Sequence, residues 1–261
     1  VIRALWILLI CIATLPFLYV YSVSIDLFGL FGGMPEYRAV ENPENDLSSE
    51  VISADGVSLG RYFRYNRSQV LYNELSSHLI KTLIFSEDHR FYEHAGMDLW
   101  AFPRVFWGVI TFNSAGGGST ITQQLAKNLY TLNPQLDGPV ASLGVWPKRI
   151  VQKTKEWVIS IQLEENFTKE EIITMYLNTS YFGSNAYGIK VASETYFSKQ
   201  PSALDIQESA VLVGLLQNPA IFNPFYHPEN ALRKRNQVLY KLLKHEYITP
   251  AQFDALKARL D

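Results

Sequence analysis

The sequence predicts a mainly α-helical protein, and three observations predict it. Apolar residues recur at helical spacing from Leu75 onward, and capping-box pairs, Thr168 with Glu171 and Asp205 with Glu208, stand before apolar runs; strand-type alternation is confined to one short stretch around Asp55-Gly56. The chain has 261 residues and a formal net charge of −2, long enough for one good-sized core and without the positive excess of a nucleic-acid partner. Its single cysteine, Cys11, excludes an internal disulfide framework and a cysteine-ligated zinc site. No internal repeat or low-complexity segment interrupts it.

The first element is residues 1–25. From Ala4 to Ile25 the run ALWILLICIATLPFLYVYSVSI carries no charge, and about twenty such residues suffice for a helix to cross the roughly 30 Å bilayer core. A transmembrane anchor is expected, kinked but not broken at Pro16. The alternative, a cleaved signal peptide, has an apolar core of only about 7 to 15 residues ending at small side chains, whereas this run continues through Tyr19 and Tyr21. Arg3 precedes the run, while the stretch after it holds Glu36, Glu41, Glu44, Asp46, Glu50 and Asp55 against Arg38 alone. The positive-inside bias then places the body of the protein outside the cytoplasm.

Residues 26–74 read as an extracytoplasmic connector. In SEVISADGVSLGRYF the alternation around Asp55-Gly56, a dipeptide that tolerates positive φ, predicts a small β-hairpin.

From Leu75 the pattern is helical. Leu75, Leu79 and Leu83, flanked by Ile80 and Ile84, form a stripe that runs into SEDHRFYEHAGMD and reaches Glu87, where the next leucine would fall. A carboxylate there is partly desolvated, which raises its proton affinity toward the range useful to a general acid or base. The spacing equally allows Glu87 to end a helix near water, with Gly96 as the stop signal. Asp88 points about 100° away on a helix, so a second catalytic carboxylate must come from elsewhere. His89 and His94 are five apart, a poor helical ligand spacing, and read as structural histidines before a metal pair.

Next comes GGGSTITQQLAKNLY. Its glycines permit close backbone approach, Thr120 and Gln123 have capping-box spacing, and free N–H groups at that helix start favour an anion. Thr120, Gln124 and Lys127 line one side and Ile121, Leu125 and Leu129 the other; any capped amphipathic helix would show the same division. No G-x-x-x-x-G-K-[ST] is present, which disfavours a nucleotide P-loop. In WPKRIVQKTKEWVISIQLEE, Pro147 suits a first helical turn, and Arg149, Lys153 and Glu156 recur opposite Ile150, Trp157 and Ile161. Alone, this face would be solvated, with a Lys153–Glu156 pair worth a few tenths of a kcal/mol.

Taken together the segments supply two candidate carboxylates, several cations and a glycine-loop helix start behind an apolar anchor. That set suits a reaction on a lipid-linked diphosphate, with one carboxylate taking a proton from a nucleophile and cations steadying the leaving phosphate.

The sequence also resembles the peptidoglycan glycosyltransferases of family 51, the polymerase domain of class A penicillin-binding proteins and of monofunctional transglycosylases, from about Leu75 to the C-terminus. Glu87-Asp88, Phe91, His94, Gly96 and Asp98 match the first motif of that family, GGSTITQQLAKN from Gly117 to Asn128 the second, and Lys153 with Glu156 the third. Tyr176-Leu177-Asn178, Gly183, Gly188, Ala192 and Tyr196-Phe197 match the fourth, and Glu208, Pro219, Asn223-Pro224, Arg235 and Val238-Leu239 the last. One departure is Gln152, where the family usually has arginine before the third-motif lysine; Arg149, one turn earlier, is the candidate replacement.

The resemblance implies a lysozyme-like helical fold over residues 75–261 that polymerises lipid II. Glu87 and Glu156 would be catalytic, Glu87 as the base toward the acceptor 4-hydroxyl. Asp88, Ser119, Thr120, Gln124, Lys127, Arg149, Lys153 and Asn178 would bind substrate, with Lys127, Lys153 and Glu156 at the diphosphate. No cofactor is required and no firm metal ligand set is implied; a divalent cation, magnesium or manganese, is compatible with the diphosphate. Partners would be lipid II, the growing glycan-lipid, the bilayer and other cell-wall synthesis proteins, on the extracytoplasmic face of the bacterial inner membrane. LWAFPRVFWGVITF, residues 99–112, fits the family's membrane-dipping jaw, a buried helix being the alternative. S-x-x-K, S-D-N and K-T-G, the transpeptidase signatures, are absent, and the chain starts at Val1, so a fragment of a bifunctional enzyme is expected, with a monofunctional enzyme as the alternative. The rival activities are a lysozyme-like hydrolase, which also uses two carboxylates, and a non-catalytic membrane scaffold.

Overall fold

The computed structural model describes residues 2–35, 49–52, 58–62, 66–67, 69–101, 118–131 and 137–259. They divide between two compact units: Val1–Pro43, Ala95–Met97 and Thr122–Asn166 form the first, and Glu44–His94, Asp98–Ile121 and Phe167–Asp261 the second. The expected 75–261 domain contributes to both.

The first unit begins with α1, Ile2–Ser24, 23 residues with Pro16 inside. The hydroxyls of Thr14 and Ser22 donate to the carbonyls of Ile10 and Leu18, four residues back, so these two hydroxyls are spent on the helix's own backbone. Leu5, Trp6, Leu9, Ile10, Leu15, Phe17 and Leu18 are exposed. Among the described residues no helix is long and apolar enough to cross a membrane, and the side chains at positions 4, 7, 8 and 12 of α1 lie outside the description. The expected span over residues 1–25 is therefore not shown by the fold. Past α1, Asp26 accepts the backbone N–H groups of Phe31 and Gly32 at 2.7 and 2.9 Å, closing a turn whose Leu30 carbonyl accepts from Val140 N–H at 3.0 Å.

α3, Ile121–Ala126, passes into a π-helical turn over Lys127–Thr131. A 3₁₀ turn over Pro139–Leu143 precedes α4, Val145–Asn166, which packs on α1. The buried face of α4 is Val151, Thr154, Lys155, Glu156, Ile159, Ser160 and Leu163. This corrects the expected face: Ile150 is 54% exposed and Glu156 only 8%. The physical reason is a close backbone approach, because a Cβ on Gly96 would lie 2.7 Å from the Ser160 carbonyl oxygen. A small residue, Ser160, therefore stands at this contact, while Val151, Ile159 and Leu163 supply the apolar part of the buried face.

In the second unit, β1 (Ser49–Ile52) pairs antiparallel with β2 (Ser58–Tyr62), the expected hairpin, with its Asp55-Gly56 turn outside the described residues. β3, Asn66–Arg67, pairs in parallel with β4, Ala186–Tyr187. α2, Ser77–Glu87, is capped by Ser76, whose hydroxyl accepts from His78 N–H, and buries Leu79, Ile80, Leu83 and Ile84. It packs on α7, Ile206–Gln217, and α9, Pro228–Lys244, which also pack on each other. α5 (Lys169–Thr179) and α7 start with the expected capping boxes, Thr168 with Glu171 and Asp205 with Glu208. α6 (Ile189–Phe197), α8 (Pro219–Phe222) and α10 (Pro250–Ala258) complete this unit; α10 carries a further capping box, Thr249 with Gln252, that the sequence reading passed over.

Candidate active site

The candidate residues divide between the units. In the second unit the apolar stripe carries α2 to its last residue, Glu87, which is half-buried at a cleft of about 560 Å³ lined also by Ser86, Gln217, Lys234, Gln237, Lys241 and His245. Lys241 donates to the Ser86 carbonyl and Lys234 to the Gln217 side-chain oxygen. Burial pushes the Lys234 ammonium below the ordinary lysine range; nearby Lys241 adds to the shift, and the Glu87 carboxylate opposes it. Two cations thus face one carboxylate. The sequence reading missed both lysines, although Lys234, Gln237, Lys241 and Lys244 recur at i, i+3, i+7 and i+10 on one face of α9. That these lie beside Glu87 follows from α9 packing on α2, which no local spacing reveals.

Gly96 does not terminate the Glu87 helix, as one reading of the spacing had it. α2 ends at Glu87, and Asp88 leaves the helix at φ −157°, ψ 73°. Asp88 is 7% exposed; both of its oxygens lie 3.1 Å from His94 Nε2, and Oδ2 also accepts the Ile121 N–H at 3.0 Å. A carboxylate has no proton to give here, so His94 Nε2–H is the donor. The reading of His94 as a structural histidine agrees with this geometry, and Asp88 is occupied in holding the start of α3. His89 is exposed and stacks on His245 at 4.8 Å between ring centroids. Asn178 accepts from Val70 N–H at 3.1 Å and donates to Val70 O at 2.9 Å, so both ends of its amide are engaged with backbone.

In the first unit, Lys153 Nζ donates to Glu156 Oε2 at 2.8 Å and to Gln123 Oε1 at 2.9 Å, while Gln123 Nε2 donates to Gly96 O at 3.4 Å. The pair is not the solvated i, i+3 contact the spacing alone would give, because Glu156 is buried. Lys127 opens the π-helical turn and is exposed; Gln124 is half-buried on α3, with Ser119 half-buried and Thr120 buried just before it. π-turns inside helices are often found at functional sites. Arg149 is exposed, and Gln152 donates to Asp137 at 3.4 Å beside Lys148, whose ammonium lies 2.5 Å from the same carboxylate. Lys155 is buried, and burial lowers its proton affinity against the opposing pull of Asp26 and Asp137.

Of the jaw segment, Leu99 and Trp100 are exposed, with the Arg90 guanidinium 5.9 Å from the Trp100 ring centre; residues 102–117, with Gly116 and Gly117, lie outside the described residues. The structure thus brings together Lys153, Glu156 and Gln123 in one unit, and Glu87 with Lys234 and Lys241 in the other. The first set can bind an anion through a fixed ammonium, and the second offers a carboxylate held among cations for proton transfer.

Residues 55–243 match the Transglycosylase family. Penicillin-binding protein 1A of Aquifex aeolicus is 35% identical over 89% of this chain and 30% of its own length, and that of Vibrio cholerae 34% identical over 96% and 28%. Penicillin-binding protein 1A of Escherichia coli is 34% identical over 85% of this chain and 25% of its own length. The chain thus spans under a third of each of these relatives. A crystal structure of penicillin-binding protein 1A from Haemophilus influenzae aligns with TM-score 0.45 and 20% identity over 83% of this chain and 21% of that chain, a likeness too loose to define the fold. With the match covering most of the sequence and both sets of site residues inside it, this chain belongs to the transglycosylase family, the peptidoglycan glycosyltransferases of class A penicillin-binding proteins.

Proposed function

We propose that the chain polymerises lipid II into β-1,4-linked glycan at the outer face of a bacterial inner membrane. The observation that carries this reading is Glu87 at the end of an apolar stripe, facing Lys234 and Lys241 in one cleft. A general base must lie close to the proton it takes, and the cleft presents this carboxylate beside two ammonium groups. Glu87 takes the proton of the acceptor 4-hydroxyl; that oxygen attacks the anomeric carbon of the growing chain from the face opposite its diphosphate. The carbon–oxygen bond to the diphosphate breaks, undecaprenyl diphosphate leaves with the electron pair, and the configuration inverts. Lys153, oriented by Glu156 and Gln123, and Lys127 on its π-turn steady the departing charge. Ser119, Thr120, Gln124 and Arg149 contact the sugar-diphosphate, while Asp88 and Asn178 act by holding backbone.

A divalent cation, where used, would be held by the diphosphate together with Glu156, where it would offset the charge of the leaving group. The anchor in this reading is the uncharged run Ala4–Ile25, because about twenty such residues suffice to cross the roughly 30 Å hydrocarbon core. Glu87→Gln is expected to lower polymerisation of lipid II at least about a hundredfold while lipid II binding persists. Near-normal turnover would refute the base assignment, and shortening of finished glycan without chain growth would make the enzyme a hydrolase instead.

A further inference from the structure

The cleft that holds Glu87 is rimmed by positive groups that the proton transfer does not use. Lys244 and His245 line it at the end of α9, together with Phe85 and His89, all within the second unit. The His245 ring stacks on Phe85 at 5.5 Å between centroids and 13° between planes, and on His89 at 4.8 Å and 26°. Phe85 in turn contacts Tyr247, whose hydroxyl lies 2.9 Å from His78 Nδ1. The imidazoles are thus fixed by packing among themselves, which lowers the cost of ordering them around a ligand.

The positive charge of this rim is not neutralised. Lys241 donates to the Ser86 carbonyl and Lys234 to the Gln217 side-chain oxygen, both neutral acceptors. Among the described residues no carboxylate forms an ion pair with Lys234, Lys241 or Lys244. A helix C-terminus attracts cations on its own account, but it carries only about half a negative charge, against the two ammonium groups in the last turn of α9, Lys241 and Lys244. His245 registers the surplus: after burial, the groups that lower its proton affinity are His89, Lys244 and Lys241.

We propose that Lys244, with Gln237 and the His89–His245 stack, is a carboxylate-binding rim that receives the acidic peptide carried by the muramyl sugar attacked beside Glu87. The inference rests on the polymerase reading and deepens it, naming a second part of the substrate that the cleft selects. Inversion puts the departing diphosphate on the face of the sugar away from the incoming hydroxyl, and hence away from the base. The nearest substrate anions on the side of Glu87 are then the carboxylates of the peptide. That peptide is joined through the 3-oxygen, two ring carbons from the reacting centre, so a cleft that seats the anomeric carbon must also admit the start of the peptide. Gln237 and Lys244 are exposed at i and i+7 of α9, about 10 Å apart along the axis, the reach of about three extended residues. Gln237 can both donate to and accept from peptide amides, and the Lys244 ammonium supplies a charge-assisted bond to a carboxylate.

The test compares, with the full chain in detergent micelles, two forms of lipid II that differ only in the peptide: one with free carboxylates and one with those carboxylates amidated. Lys244→Glu is expected to raise the KM for the acidic form about fivefold or more at unchanged kcat, and to move the amidated form by less than about twofold. Lys244→Arg should keep the wild-type preference. Equal losses on both forms overturn the rim, because they mark Lys244 as structural or as a general attractor of diphosphate; no loss on either overturns it too. A wild-type chain that extends neither form overturns the polymerase reading instead, and the rim is then decided by binding. In that arm a soluble muramyl peptide with free carboxylates is titrated by calorimetry, and Lys244→Glu is expected to weaken its binding about fivefold or more. Unchanged affinity overturns the rim, and displacement of the peptide by equimolar inorganic phosphate shows an unselective anion site and overturns the peptide assignment.

Discussion

Asp88 and His94 form the joint on which the candidate base is mounted. The buried carboxylate receives His94 Nε2–H at 3.1 Å and, through Oδ2, the backbone N–H of Ile121 at 3.0 Å, immediately after the helix that ends in Glu87. Asp88→Ala leaves a buried imidazole N–H and a helix-start N–H unpaired. It is expected to cost about 2 to 4 kcal/mol of stability, read by urea denaturation, and to lower activity even where the fold survives. His94→Gln, which keeps a donor, should recover part of the loss relative to His94→Ala; equal losses would mean the hydrogen bond is not what His94 supplies.

Gly96 supports α4 rather than ending α2. It has φ +82°, and an added Cβ would meet the Ser160 carbonyl at 2.7 Å. Gly96→Ala is expected to destabilise by about 2 kcal/mol or more, combining left-handed strain with overpacking against rigid backbone. A thermal midpoint unchanged within error would show that the contact relaxes freely.

Lys153 and Glu156 should separate in binding experiments. Lys153→Ala removes the ammonium and leaves a buried carboxylate, so affinity for undecaprenyl diphosphate is expected to fall tenfold or more, about 1.4 kcal/mol or above. Glu156→Gln keeps the ammonium and should weaken binding less while still reducing turnover. Titration calorimetry checks both; unchanged affinity in Lys153→Ala would remove the diphosphate from this site.

His245 makes stability fall in mild acid. Burial lowers its proton affinity below the ordinary histidine value of 6.5, and His89, Lys244 and Lys241 lower it further. Between the folded and unfolded values the unfolded chain binds the extra proton, so folding stability declines as pH drops below about 6.5 and levels off once the folded form is also protonated. His245→Gln should flatten that decline in chemical denaturation curves between about pH 7 and 5. Glu87 and the lysines of α9 face the same cleft, which makes stability, not activity, the clean readout.

Much of this was legible locally. The stripe Leu79–Leu83 predicted both α2 and the position of Glu87 at its end, since helical periodicity needs only neighbours in sequence. The capping boxes at Thr168 and Asp205 were readable for the same reason. The buried face of α4 was not: Ser160 faces Gly96, and a close approach between backbones that lie far apart in sequence selects a small residue at that point.

By itself, then, the sequence determined the helices, their starts and the candidate residue types for proton transfer and anion binding, because these depend on spacing within a few residues. Only the tertiary structure decided that Lys234 and Lys241 flank Glu87, that Asp88 and Asn178 are spent on backbone, and that Glu156 is buried with Lys153. Those outcomes depend on which helix packs against which, and the free energy of that packing is summed over the whole unit and written in no single motif.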